Sequence, residues 1–223
     1  MNIREELLKL KDEKYKEFTS KLTKTNYPII GVRVPLIKKL AKEISKEDYC
    51  GYFDSLKNPF FEEVMIDGLL IGYLKDINEV VNKLEKFIEK IDDWSICDSV
   101  CANLKITNKN KDVMWDFISN YKNSCKEFEV RFMLVMMMDY YLDNKYIKDI
   151  FCIIDNLKCD AYYVKMAVAW LLATSFVKCE EETLEYIKRC NLDKFTFNKM
   201  ISKCIESYRI HDDLKLLLKK MKK

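Results

Sequence analysis

The chain has 223 residues, nearly half of them hydrophobic and a third charged, which is the balance of a water-soluble globular protein with enough length to bury a core without disulfide or metal staples. The formal net charge of +3 does not by itself announce a nucleic-acid binder, and lysine outnumbers arginine 34 to 5, so the five arginines (Arg4, Arg33, Arg131, Arg189, Arg209) are the informative cations. Nine cysteines without a C-x-x-C pair, together with the charged amphipathic start "MNIREELLKL", point to reduced thiols, no signal peptide and a cytoplasmic location.

Four glycines and three prolines leave little material for tight β turns, and apolar residues recur at spacings of three and four. In chain order, "VPLIKKLAKEI" predicts a helix with Pro35 in its first turn, where the missing N–H costs nothing. "NPFFEEVMIDGLLIGYL" opens another after Asn58, followed by "INEVVNKLEKFIEKI". "IDDWSICDSVC" starts a helix behind two aspartates, and "KDVMWDFISNY" adds one more. Then come "FEVRFMLVMMMDYYL", "KYIKDIFCIIDNL", "AYYVKMAVAWLLATSFV", "EETLEYIKRC", "FTFNKMISKCIESYRI" and "DLKLLLKKMKK". About a dozen helices joined by loops of two to five residues read as stacked antiparallel pairs in an all-α chain.

A weak period supports repetition. "VRFM" at 130–133 and "VKMA" at 164–167 are 34 residues apart; Arg131 follows Trp94 by 37 residues and precedes Trp170 by 39. Helical-pair solenoids repeat every 34 to 47 residues or so, and such a stack places functional residues along one concave surface. A compact helical bundle is the competing architecture. No linker or composition shift divides the chain, so residues 1–223 are expected to form one domain.

His211 is the only histidine, which removes most zinc, iron and copper sites and nearly every nucleophile–histidine pair. Cys97 and Cys101 share a helix face and read as buried, inert thiols. No glycine-rich phosphate loop occurs, and no uncharged apolar run reaches the roughly 18 residues needed to span a bilayer. The expectation is therefore no metal, no cofactor and no membrane partner.

Trp94 and Asp98 lie one turn apart. Asp98 has no Lys or Arg three or four positions away, and its neighbours Ile96, Cys97, Val100 and Cys101 are apolar, so the carboxylate must be paired, solvated in a cleft or raised in pKa. A core tryptophan beside a structural aspartate is the plainer reading. Arg131 sits among Phe132, Met133, Leu134 and Val135, where an arginine is rarely left unpaired. It is either half of a buried pair with Asp98 or Glu129 or a groove-lining cation that holds a carboxylate or phosphate. Trp170 lies among Val, Ala and Leu and is either core or groove wall. Tyr162, Tyr163 and Lys165 precede it, and Lys199, Lys203 and Arg209 follow, a mixture of aromatics and cations suited to a nucleic-acid backbone or, more plainly, to a solvated basic face.

The ordered set Trp94, Asp98, Arg131, Trp170 resembles the AlkD-type DNA alkylation repair proteins, DNA glycosylases built from HEAT-like helical repeats. The resemblance covers nearly the whole chain. "IIGVRVPLIKKLAKEI", with Arg33, is similar to the family's early segment; "DDWSICDSVC" matches its W-x-x-x-D motif; "EVRFMLVMMM" matches the arginine helix; "YYVKMAVAWLLA" matches the K-x-x-x-x-W helix; "NKMISKCIESYRI" resembles the last part. The chain departs from the pattern at Ala173, where a basic residue often stands, and in its low net charge.

The resemblance implies a HEAT-like α-solenoid of about six antiparallel helix pairs with a concave groove for double-stranded DNA. It implies excision of cationic N3- and N7-alkylated purines, without cofactor or metal, by a monomer. Asp98, Trp94, Trp170 and Arg131 are then the catalytic-site residues; Tyr162, Tyr163, Lys165, Arg33, Lys199, Lys203 and Arg209 contact DNA. Alternatives are a family member that binds DNA structure without releasing a base, a helical-repeat scaffold for a protein partner, and a small helical enzyme of unrelated class.

Overall fold

A computed structural model describes residues 2–47 and 52–223. Among them the secondary structure is helical throughout, with no strand. The chain divides into two compact units, Met1–Met114 and Trp115–Lys223.

In the first unit the helices are α1 (Ile3–Lys9), α2 (Glu13–Leu22), α3 (Val34–Ile44), α4 (Tyr52–Ser55), α5 (Phe61–Ile71), α6 (Ile77–Ile88) and α7 (Trp94–Asn103), then a 3-10 turn over Lys105–Lys109. The sequence periodicity finds α3, α5, α6 and α7 but not α1 and α2, because α1 buries only Ile3 and Leu7 and α2 buries no residue, so neither carries a full apolar stripe. Their caps explain them: Asn2 accepts from the Glu5 N–H and Asp12 from the Tyr15 N–H. The helix expected from Asn58 begins three residues later, because Asn58 has φ 55°, outside helical space.

α5 is the spine of this unit. It is buried almost all round and packs against α1, α3, α4, α6 and α7. Gly68 lets it approach its neighbours: a Cβ there would lie 2.3 Å from the Phe87 ring of α6 and 2.5 Å from Val100 Cγ2 of α7. Two glutamates enter this apolar helix. Glu62, 1% exposed, accepts the N–H groups of Ile30, Gly31 and Val32 at 3.0, 2.7 and 3.1 Å. Glu63 accepts both arms of the Arg4 guanidinium, the Tyr52 hydroxyl and the Phe60 N–H. Burial pushes the Glu63 carboxyl up, but these donors outweigh it and hold the group below the usual carboxylate range.

The second unit begins within α8 (Lys111–Ser119) and continues with a 3-10 turn (Asn120–Asn123), α9 (Glu127–Tyr140), α10 (Ile147–Asp155), α11 (Tyr162–Lys178), α12 (Glu180–Arg189), α13 (Lys194–Glu206) and α14 (Asp212–Lys220). α11 packs on both α9 and α13, just as α5 packs on α3 and α7. Of the intervening helices, α6 packs on α5, and α12 packs on both α11 and α10. The expected helix 195–210 stops at Glu206, where the Ser207 backbone turns extended.

Candidate functional site

α7 starts where Asp93 caps it. The Asp93 carboxylate accepts the Ser95 N–H and hydroxyl at 2.8 and 2.6 Å and the Lys24 N–H at 3.4 Å. Burial raises its pKa against these hydrogen bonds. Asp92 beside it accepts the Thr25 hydroxyl and the Asn26 N–H, at 2.8 and 2.6 Å. The two aspartates thus latch the 24–26 loop to the start of α7 and fix the helix's rotation.

That rotation sorts the helix faces. Ile96, Cys97, Val100 and Cys101 are fully buried, whereas Trp94 and Asp98 lie on the half-exposed face with Ser95 and Ser99. The indole N–H of Trp94 reaches toward the Leu22 carbonyl at 3.4 Å, which orients the ring at the end of α2. Neither group is sealed in the interior. An indole and a carboxylate one turn apart, reachable from solvent, can together present a π face and a negative charge to a cation.

Arg33 stands on the same unit, as the residue before α3, and is exposed. Its guanidinium pairs with Asp12 at 2.9 Å and lies 5.0 Å from the Tyr15 ring centroid. The Tyr15 N–H and the Arg33 pairing together hold the Asp12 carboxyl below its ordinary range.

In the second unit Arg131 is buried on α9, 4% exposed. It donates to the Tyr163 carbonyl at 2.9 Å, with its guanidinium 5.8 Å from the Tyr163 ring centroid. The Tyr163 N–H donates to Glu127 at 2.6 Å, and its ring packs on Phe128. Of the two partners the sequence suggested for Arg131, Glu129 accepts from Ser124 and pairs with Lys126.

Trp170 lies on the solvent side of α11, 37% exposed, with the Lys203 ammonium of α13 5.7 Å from its ring. Tyr162, two turns earlier on that helix, is 56% exposed and packs against Phe195 of α13. Met166 lies between them along the helix and Lys199 one turn before Lys203, so α11 and α13 present a shared strip of aromatic rings and ammonium groups. Lys165 is not part of it. Five positions from Trp170, it is rotated about 140° around the helix, pairs with Asp160 at 2.7 Å and lies 3.9 Å from Asp193. The Asp160 hydrogen bond and the two negative charges raise its pKa. It lines a cavity of about 390 Å³ with Asp155, Arg189 and Thr196. Arg209 is exposed in the turn after α13.

Sequence reasoning missed Glu62 and Glu63, although two adjacent acids in an otherwise apolar helix are the visible sign of a buried acceptor. It also missed Glu127, whose role depends on α11 arriving beside it. No group of three or more His, Cys, Asp or Glu side chains among the described residues is arranged to hold a metal ion, and no described helix is long and apolar enough to cross a membrane. A family model described as "DNA alkylation repair enzyme" matches residues 3–205. No curated protein matches the chain.

Proposed function

The chain belongs to the DNA alkylation repair enzyme family, and on that premise we propose that it is a DNA glycosylase that hydrolyses the N-glycosidic bond of cationic N3- or N7-alkylated purines in duplex DNA. The observation that carries this reading is the half-exposed Trp94–Asp98 face of α7, set by the Asp92–Asp93 latch. In the reading, residues 1–223 act as one HEAT-like repeat domain, an α-solenoid of about six helix pairs, and a monomer suffices.

The chemistry needs little equipment. An alkylated purine nitrogen makes the base a cation, so the base departs as a neutral molecule without a general acid. As the bond breaks, the deoxyribose becomes oxocarbenium-like. An ionised Asp98 stabilises that charge and orients the attacking water. Trp94 and Trp170 offer electron-rich faces to the charged sugar or base, each worth about 0.5–2 kcal/mol. Water adds to the anomeric carbon, loses a proton and leaves an abasic deoxyribose and the free base. Arg131 is a positioning residue: it holds the Tyr162–Tyr163 end of α11. Lys199, Lys203 and Arg209 supply positive charge for the DNA backbone.

One observation favours a second reading, a helical scaffold for a protein partner: Arg33 and Lys165 are each paired with aspartate, which reduces the cationic surface. The assay that separates these readings is release of 7-methylguanine from methylated duplex DNA by the purified protein, with Asp98→Asn alongside. The proposed role predicts that the variant loses about 10²-fold or more in rate while still binding DNA. Base release unchanged by Asp98→Asn removes the assigned role. No release by the wild type, with DNA binding intact, leaves a non-catalytic DNA-binding family member instead, and no DNA binding at all leaves the scaffold.

A further inference from the structure

Two cysteines outside the proposed site lie side by side. Cys125 lies two residues before α9 and Cys159 three residues before α11, 34 residues later, so each sits in the loop that leads into one of two helices packed on each other. The Cys159 thiol donates to the backbone carbonyl of Cys125 at 3.4 Å. Cys125 is exposed and Cys159 half-exposed, unlike Cys97, Cys101, Cys179 and Cys204, which are buried. The two loops are already tied next to them, because Glu127 accepts the Tyr163 N–H and Arg131 holds the Tyr163 carbonyl.

We propose that Cys125 and Cys159 are a peroxide-sensitive pair that forms a reversible disulfide across the N-terminal ends of α9 and α11. A disulfide joins α-carbons about 4.4–6.8 Å apart. The Cys159 sulfur lies 3.4 Å from the Cys125 carbonyl oxygen, and the proposal requires the exposed Cys125 side chain to turn about χ1 to meet it. The oxidant is a hydroperoxide. A thiolate attacks the peroxide oxygen, the O–O bond breaks, and the cysteine becomes a sulfenic acid as water or an alcohol leaves. The second thiolate then attacks that sulfur, the S–O bond breaks, the oxygen leaves as water and the S–S bond forms. The sulfurs lose two electrons in total, and the peroxide gains them. A dithiol reductant returns both thiols.

The bond would close a loop of 34 residues and pin the end of α11 that carries Tyr162 and Tyr163. A link of that span restricts the unfolded chain and raises the melting temperature by about 5–10 °C. The inference stands on the cysteines alone and is independent of glycosylase activity.

The test is peptide mapping of the whole folded protein after brief hydrogen peroxide treatment, without and with subsequent dithiothreitol. The expected result is a Cys125–Cys159 linked peptide that disappears on reduction. It should be absent in Cys125→Ser and in Cys159→Ser and retained in Cys152→Ser, whose altered cysteine is also exposed. The link should accompany the rise in melting temperature, with wild-type helicity by circular dichroism showing that it formed in the folded state. Recovery of Cys125 and Cys159 as separate sulfinic or sulfonic acids, or linkage of either mainly to another cysteine, overturns the proposal. So does a link that forms equally well in guanidinium, since the folded geometry would then contribute nothing.

Discussion

Arg131 on α9 and Glu127 one turn before it take both backbone polar groups of Tyr163 on α11: the guanidinium donates to its carbonyl at 2.9 Å and the carboxylate accepts its N–H at 2.6 Å. The N–H belongs to the first turn of α11, where no intrahelical partner exists and negative charge is favoured. α9 thus caps and clamps the start of α11, and the exposed Tyr162 is set in place through the residue beside it.

Removing the clamp should destabilise the second unit. Arg131→Met keeps most of the volume but leaves the Tyr163 carbonyl without its charged donor. A cost of about 2–4 kcal/mol is expected, from the lost charged hydrogen bond and imperfect repacking. In a chain of this size that lowers the melting temperature by about 5–10 °C. Thermal unfolding of the variant checks it; an unchanged midpoint would mean that the hydrogen bond is incidental.

A second weak point lies under the 30–32 loop. Gly31 has φ 100°, and a Cβ on it would sit 2.5 Å from Lys16 Cβ and 2.9 Å from the Asp12 carbonyl oxygen. Gly31→Ala is therefore strained in both backbone and packing. Glu62→Gln acts on the same loop differently, by turning an amide donor toward backbone N–H groups that need an acceptor. Each should cost about 1–3 kcal/mol in urea unfolding. Because they share one loop, the double variant should lose less than the two single losses together.

Acid should act through Glu63. Its folded pKa is depressed, so the folded state binds fewer protons there, and its stabilisation is complete above the usual carboxyl range and lost as pH falls through the depressed value. Arg4→Met removes the bidentate partner and should flatten or reverse that part of the pH dependence. Asp93 has the opposite sign: burial raises its pKa, so its contribution is fullest at low pH and fades as pH rises through the raised value. It is common to both proteins, so comparing their unfolding free energies from neutral pH down to about pH 3 isolates Glu63. Parallel curves would show that Arg4 does not set the Glu63 pKa.

DNA binding should fall steeply with salt, by about 0.9 in log–log slope for each phosphate contact. Lys203→Gln and Lys199→Gln should each weaken affinity and reduce that slope by about 1. Lys165→Gln should leave the slope nearly unchanged, because Asp160 and Asp193 already occupy that ammonium. Binding measured across a salt series decides; a Lys165 effect as large as that of Lys203 would place the phosphate path on the other side of α11.

Helix order and helix faces are local properties, and the sequence by itself determined most of them. The spacing of apolar residues set α3 and the helices from α5 onward, and the Asp92–Asp93 pair before Trp94 predicted where α7 begins. The same spacing placed Trp94 and Asp98 one turn apart on α7, beside the apolar Ile96, Cys97, Val100 and Cys101. Partners distant along the chain were another matter. Nothing local says that Glu62 will receive three N–H groups from a loop some 30 residues earlier, that Arg131 will close on Tyr163, or that Lys165 will turn to Asp160 and Asp193 while Trp170 meets Lys203. Periodicity encodes which side of a helix is apolar, but a charged group's partner depends on which other helix packs beside it. Only the tertiary structure decides that, because desolvation and hydrogen bonding act between atoms brought within about 3 Å, whatever their distance in sequence.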